Sequence, residues 1–317
     1  MITNSIDFAK QVLDSNDVVS IPTETVYGLA GNIFSATAID KIFRLKKRPF
    51  NNPLIVHIQN KEKLDLVAKN IPAIALKLAD SFWPGPLRLL LEKQHTISES
   101  ITAGLPSVAV RVPNHKVTLE LLEKLDYPLA APSANPFKAI SPTSSKHVVA
   151  YFGDELTCIL EGGECEKGVE STIIGFNTTN QPILFRHGAI SIEQIEKVIG
   201  KVIVETSSKE QPLAPGMLSK HYAPKTRIIM TNNIEASIQQ NNKQKIGVIT
   251  FKESNFNEDV FHCEVLSKCG DFNEASRNFY SALHRLDELG LTLIIAEEMP
   301  KVDLGLTLND RLMRATK

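Results

Sequence analysis

The sequence predicts a mixed α/β protein in two unequal units, and three observations carry that reading. Runs rich in valine, isoleucine and leucine alternate with helical patterns along the first two-thirds of the chain. A stretch with Pro212, Pro215, Gly216 and Pro224 and little periodicity then interrupts the pattern. A second, shorter alternation of strand and helix follows it, as expected of a small parallel sheet. With 317 residues, 43% hydrophobic and 22% charged, the chain is long enough for two such units.

Taken in order, residues 5–13 predict a helix with Ile6, Ala9, Val12 and Leu13 on one face, and 18–21 a buried strand. A helix over 37–46 runs into Pro49, where the missing N–H ends it. Strand patterns at 54–58, 87–91 and 108–112 enclose a helix over 74–82, and a short strand falls near 128–131. A helix near 145–151, strands at 172–176 and 183–185 and a helix over 192–199 complete the first unit. Beyond the break, strands at 228–231, 246–250 and 293–296 alternate with helices near 234–240, 274–288 and 306–315. The expected division is 1–205, a linker over 206–226, and 227–317. Owning its own sheet, the first unit is expected to fold alone.

Net charge is −1 and pI about 6.7, so no global basic field points to nucleic acid or an anionic membrane. No apolar run approaches the roughly eighteen residues of a membrane span, and the polar start lacks a signal-peptide pattern. Cys158, Cys165, Cys263 and Cys269 show no metal or redox spacing, which predicts reduced structural thiols and a cytoplasmic protein. No repeat, low-complexity segment, P-loop or dinucleotide fingerprint is present.

Four segments concentrate the polar chemistry. Residues 41–48 hold Lys41, Arg44, Lys46, Lys47 and Arg48 without an acid. A helix C-terminus favours cations, which explains part of this run. The continuation Pro49-Phe50-Asn51-Asn52-Pro53 fixes a turn that would aim Lys46 and Arg48 at one point, and such cations suit phosphate. Arg111 lies within an apolar strand run, where a charge must be paired. It either meets a carboxylate of the protein or an anion of a ligand. Ser133, Asn135 and Ser141 stand in turns, His57 reads as a core histidine and Thr172 as a strand threonine. The inventory offers fixed charge and hydrogen bonds without an acid–base triad.

Joint occurrence adds what single motifs lack. PTETVYGL (22–29), KKRP (46–49) running into NNPLIVH (51–57), FWPGPL (82–87), VAVRVPNH (108–115), APSAN (131–135) and GVEST (168–172) occur in this order. Together they closely resemble the threonylcarbamoyl-AMP synthase family with the YrdC-like fold, and PGMLSKHYAP (215–224) looks like its longer two-domain form. The resemblance implies a YrdC-like twisted mixed sheet with a smaller Rossmann-like parallel α/β domain behind it. It also implies a nucleotidyltransferase that forms threonylcarbamoyl-AMP and pyrophosphate from L-threonine, bicarbonate or CO2, and ATP with Mg²⁺. The product would pass to a tRNA threonylcarbamoyl transferase for modification beside the anticodon, with a weak tRNA contact compatible with the basic run.

Carried over by position, the resemblance implies Lys46 and Arg48 as the catalytic cations that neutralise the phosphates. Threonine contacts fall on Thr25, His57, Arg111 and Thr172. Nucleotide contacts fall on Arg48, Asn52, Ser107, Ala131, Ser133, Asn135, Ser141 and Arg186, with His221 and Tyr222 of a lid over 215–224 closing above them. No protein side chain is expected to bind the metal directly. Two positions depart from the family pattern. Arg88 stands where a threonine is usual and is expected to snorkel to solvent along the strand edge. Ser219 stands where an aromatic or basic residue is common. A nucleic-acid-binding module fits the charge balance poorly. A carbamoyl-adenylate enzyme of hydrogenase maturation would require zinc-finger and acylphosphatase regions that the sequence lacks.

Overall fold

The structure, a computed structural model, describes residues 1–206, 221–254, 256 and 260–317. Ser219 and most of the lid expected over 215–224 lie outside them. The chain opens with strand β1 (Ile2–Thr3), helix α1 (Ile6–Asp14) and strands β2 (Val19–Ile21) and β3 (Gly28–Asn32). Helix α2 (Ala36–Lys46), β4 (Ile55–His57), α3 (Ala73–Phe82), β5 (Leu87–Glu92), α4 (Glu99–Thr102) and β6 (Ser107–Arg111) follow. Then come α5 (Lys116–Glu123), β7 (Leu129–Ala130), α6 (Ser145–Phe152), β8 (Cys158–Leu160), β9 (Thr172–Phe176), β10 (Pro182–Arg186), α7 (Ile192–Ile199) and β11 (Ile203–Val204). The second unit contains β12 (Ile228–Thr231), α8 (Ile234–Gln240), β13 (Ile246–Thr250), β14 (Val260–Val265), α9 (Phe272–Glu288), β15 (Leu293–Glu297) and α10 (Leu304–Ala315).

Local chemistry explains many boundaries. Ser5, Ser35, Ser144 and Ser191 cap their helices by accepting an N–H from the first turn, and Gln194 completes a capping box with Ser191. Lys47 ends α2 in the left-handed region at φ 50°, its N–H bonded to the carbonyls of Phe43 and Arg44.

The large sheet has eleven strands in the order β1-β8-β2-β3-β7-β4-β6-β5-β9-β10-β11. It mixes parallel and antiparallel pairs: β4 runs parallel to β6, β5 antiparallel to β6, and β5 parallel to β9. The small sheet is all parallel, in the order β12-β15-β13-β14. One core under the large sheet gathers Leu29, Ile42, Val56, Leu78, Leu89, Val110 and Ile174, and another on α1 and α5 gathers Leu13, Ile21 and Leu121. A third core is shared: Val26, Ile140, Val169 and Ala189 of the first unit pack with Phe279, Leu283, Leu308 and Leu312 of the second. Among the described residues, no helix is long and apolar enough to cross a membrane.

The sequence pattern did not reveal β1, β3, α4, α5, β8, β11 or β14. Residues 28–32 read Gly-Leu-Ala-Gly-Asn, small side chains that a strand tolerates only when neighbours on both sides hold it. In β14, His262 and Glu264 alternate with Phe261, Cys263 and Val265 and pair with each other at 3.0 Å.

Candidate active site

A narrow cavity of about 20 Å³ opens among the ends of the central strands, beside the segment that leads into the second unit. Arg48, Ile55, Arg88, Pro132, Ser133, Glu170, Arg186, His221 and Tyr222 line it. Three arginines face one carboxylate.

Arg48 is held by the turn that follows it. Its Nη2 donates to Asn52 Oδ1 and to the Pro53 carbonyl, each at 2.7 Å, and its Nε to the Asn52 carbonyl at 3.1 Å. Prolines 49 and 53 fix this wrap, which presents the guanidinium edge-on to the cavity. Burial and the nearby Arg186 push Arg48 below the usual arginine range, against Tyr222, which pulls the other way. Asn52 is fully buried, and its Nδ2 has no hydrogen-bond partner among the described residues.

Lys46 is held by backbone carbonyls beside the cavity. It is 1% exposed, and its ammonium donates to the carbonyls of Ser133 and, at 2.6 Å, Asn135. The Lys46 ammonium thus stands at Ser133, which lines the cavity with Arg48. Lys46 braces the loop that carries Ser133, and burial, with Arg48 nearby, lowers its pKa well below the usual lysine range. Asn135 is likewise structural, its Nδ2 donating to the Pro136 and Ala139 carbonyls, while its Oδ1 stays buried without a partner among the described residues. Ala131 is 3% exposed at the strand end, its N–H bonded to the Ile55 carbonyl, and leads into Ser133 on the cavity wall.

The four threonine-contact candidates share a neighbourhood but not equal availability. Arg111 answers the alternative left open by the sequence: it pairs inside the protein. Its Nη2 lies 2.5 Å from Glu24 Oε2, a charge contact without hydrogen-bond alignment, its Nη1 donates to Thr25 Oγ1 at 2.9 Å, and its Nε to the Gly85 carbonyl. His57 stands opposite Arg111 across the β4–β6 ladder. Burial pushes its imidazole pKa well down, with Arg111 and Arg88 adding to the effect, so the ring is neutral at pH 7. The Thr172 hydroxyl donates to the Ile190 carbonyl at 2.6 Å and accepts the Ile190 N–H, stapling β9 to the following loop.

The remaining candidates divide clearly. Arg186 donates to the Ser171 carbonyl at 2.7 Å and lines the cavity. Ser141 is buried and donates to Glu170 Oε1 at 2.6 Å, so it acts on the cavity through that carboxylate. Ser107 stands apart. It begins β6, four residues from Arg111 and so about 13 Å along the strand. It lines a separate groove with Pro72, Glu92 and Phe176, because strand direction carries it to the far end of the sheet.

His221 and Tyr222 close one side of the cavity. They are 6% and 1% exposed, and Tyr222 adopts φ 63°, a left-handed backbone that an L-residue takes only when packing demands it. The Arg311 guanidinium lies 4.8 Å from the Tyr222 ring centroid, a cation–π contact, and Tyr222 Oη has no partner among the described residues. Burial lowers the His221 pKa well below the usual range, opposed by Glu170 and reinforced by Arg48, Lys46 and Arg186.

Sequence reasoning missed four contributors and misplaced a fifth. Glu24 sits inside the PTETVYG segment, yet its pairing with Arg111 spans the fold. Glu170 takes Arg311 at 2.8 Å and the Tyr280 hydroxyl at 3.0 Å from the second unit. Burial alone would raise the Glu170 carboxyl, but Arg311, Arg186 and the Ser141 hydrogen bond hold it down to about 2. Arg311 and Tyr280 lie on helices whose sequence resembles any half-polar helix. Arg88, expected at the solvent edge, is 4% exposed and lines the cavity. It sits on a central strand between β6 and β9, with no edge to snorkel along.

A mixed sheet opening on an arginine-lined cavity, with a parallel α/β unit packed behind its carboxylate, narrows the class, and comparison with known proteins agrees with it. The family model described as telomere recombination, covering the Sua5, YciO and YrdC proteins, matches residues 11–188, and that of the threonylcarbamoyl-AMP synthase C-terminal domain matches 190–316. The threonylcarbamoyl-AMP synthase of Pyrococcus abyssi is 39% identical over 98% of this chain and 94% of its own length. That of Bacillus subtilis is 37% identical over 97% and 91%. The crystal structure of P. abyssi Sua5 complexed with L-threonine superposes with a TM-score of 0.92 at 38% identity, covering 100% of this chain and 97% of that one. The chain belongs to the threonylcarbamoyl-AMP synthase family, in its two-domain form, and is an enzyme of that family.

Proposed function

We propose that this enzyme is a nucleotidyltransferase that forms L-threonylcarbamoyl-AMP and pyrophosphate from L-threonine, bicarbonate or CO2, and ATP. The observation that carries this reading is the charge imbalance of the cavity. Arg48 and Arg88 line it, while the carboxylate on its wall, Glu170, already receives Arg311, Tyr280 and Ser141. Buried positive charge without counter-charge is costly unless anions enter, and a triphosphate with a carboxylate supplies them.

Threonine's amine adds to CO2 and loses a proton, giving a carbamate whose carboxylate attacks the α-phosphorus of ATP. Such transfers rest on positioning and charge stabilisation rather than on covalent help from the protein. Arg48 and Arg186 hold the phosphates, and Lys46 acts at one remove by fixing the Ser133 loop. Thr25 and His57 line the threonine end, beside the Glu24–Arg111 pair. The complex of the P. abyssi relative with L-threonine supports threonine as a substrate here. Magnesium, when bound, supplies charge neutralisation on the phosphates. The donor set fits a metal carried by the nucleotide, since the cavity wall offers cations and amides and its carboxylate is committed. Water exclusion falls to His221 and Tyr222, because a carbamate loses CO2 readily in water.

The downstream reading is that a tRNA threonylcarbamoyl transferase consumes the adenylate for tRNA modification, in the cytoplasm. The test is a pyrophosphate-release assay in which threonine, bicarbonate and ATP are omitted in turn. Release only when all three are present supports the reading, and release without threonine overturns it.

A further inference from the structure

We propose that Arg88 is a carboxylate-binding residue of this enzyme, placed where the threonine end of the site meets the nucleotide end. The inference rests on the functional reading above and deepens it. On β5, Leu89 pairs with Val110, so the antiparallel register sets Arg88 opposite Arg111, which in turn pairs with His57 across β4. The three side chains thus form one row on the same face of the central strands. Opposed like charges destabilise a sheet unless something compensates them. Arg111 has its counter-charge in Glu24. Arg88 has no such contact: its Nε and Nη1 are buried without a hydrogen-bond partner, no ion pair joins it to any described residue, and Glu170 acts on it only from a distance.

Its surroundings exclude an internal partner and favour a ligand. Glu170, the carboxylate in the same cavity, already receives Arg311, Tyr280 and Ser141. Arg88 lines that cavity with Arg48, Arg186 and Ser133, so an anion bound there meets its guanidinium directly. Arg48 and Arg186 lie on the nucleotide side, and His57 and Arg111 on the other. The group that must stand between them is a carboxylate, either the α-carboxylate of threonine or the N-carboxylate derived from bicarbonate. In the second case an oxygen of the N-carboxylate bonds to the α-phosphorus while the α–β bridging oxygen leaves with its electron pair on pyrophosphate. Arg88 keeps its proton throughout and offsets the negative charge between the two anions.

The experiment uses the full chain with Arg88→Met, Arg88→Lys and Arg88→Thr. Pyrophosphate release is measured while threonine, bicarbonate and ATP are varied singly, and melting is followed with and without L-threonine and bicarbonate. Arg88→Met should lower kcat/KM about 100-fold, the scale for losing one preorganised donor. Arg88→Lys should recover part of this, since it keeps the charge but loses the planar fork. Without ligands Arg88→Met should melt higher than the unaltered chain, because an unpaired buried charge has been removed, and the rise in melting temperature on adding the ligands should shrink. An effect on the KM for threonine identifies the α-carboxylate, and one on the KM for bicarbonate the N-carboxylate. A lower melting point with unchanged kcat/KM overturns the proposal, as does an effect confined to the KM for ATP. If the unaltered chain releases no pyrophosphate from the three substrates, the functional reading itself fails, separately from the role of Arg88.

Discussion

Arg311, in the last helix of the chain, donates from Nε to Glu170 Oε2 at 2.8 Å, joining two residues 141 positions apart. Both are buried, and the rest of the network keeps them so. Arg311 also pairs with Asp310 and donates to the His187 carbonyl at 2.8 Å, while Arg314 reaches Asp310 at 2.9 Å. The second unit therefore holds Glu170, a wall residue of the candidate site, in place from behind. The shared core around Val169, Ala189 and Leu308 makes the same point in apolar terms.

Removing Arg311 leaves a carboxylate buried without its main counter-charge. Arg311→Met should lower stability by about 3–5 kcal/mol, measured by urea unfolding, and the double variant with Glu170→Gln should recover part of the loss. A chain cut after about residue 205 exposes Glu170 and half of a core. We expect it to melt well below the full chain, which revises the sequence-based expectation of an independently stable first unit.

Lys46 and Arg48 should respond differently, though both belong to one sequence motif. Arg48→Ala, losing a cation on the cavity wall, should reduce turnover by about 2–4 kcal/mol of transition-state stabilisation, with a smaller effect on melting. Lys46→Ala leaves the buried carbonyls of Ser133 and Asn135 without their donor, so turnover and melting temperature should fall together. Equal melting temperatures for the two variants would count against the bracing role.

The Glu24–Arg111 pair should show coupling. Glu24→Gln and Arg111→Lys are each expected to destabilise the protein. Their double-mutant cycle should give an interaction energy within about 0.5–3 kcal/mol, because the partners touch. Additive losses in urea unfolding would mean that the two act independently. Threonine KM should rise in both single variants, since Thr25 is held by the same guanidinium.

A pH dependence follows from the His147–His284 stack, whose ring centroids lie 3.8 Å apart between the two units. Burial pushes His284 down to about 4, against the Ser141 carbonyl and Asp287, and pushes His147 to about 3, with His284 and Arg285 adding to the effect. Folded values below the unfolded value of about 6.5 mean that the stabilisation is complete above that pH and is lost as pH falls toward 4. For His284 alone the loss between pH 7.5 and 5 should be about 2 kcal/mol. Urea unfolding of the full chain and of His284→Gln at both pH values checks it, the variant showing the smaller difference.

The sequence by itself determined the class of fold, the division into a large mixed sheet and a small parallel one, and the family. Those follow from hydrophobic periodicity, from proline and glycine at boundaries, and from ordered short motifs, all local along the chain. It also singled out Arg48, Ser133 and Arg186, which line one cavity. Only the tertiary structure decided what each charged side chain does there. Lys46 braces the Ser133 loop because the fold brings the carbonyls of Ser133 and Asn135 to its ammonium. Arg111 is neutralised because a loop 86 residues away brings Thr25, with Glu24 beside it, against the guanidinium. Arg88 faces inward because its strand lies between two others. Ser107 falls outside the site because strand direction separates the ends of β6. The energy of a buried charge depends on which partner the fold brings within hydrogen-bond reach, and such partners stand tens of residues or more apart in sequence.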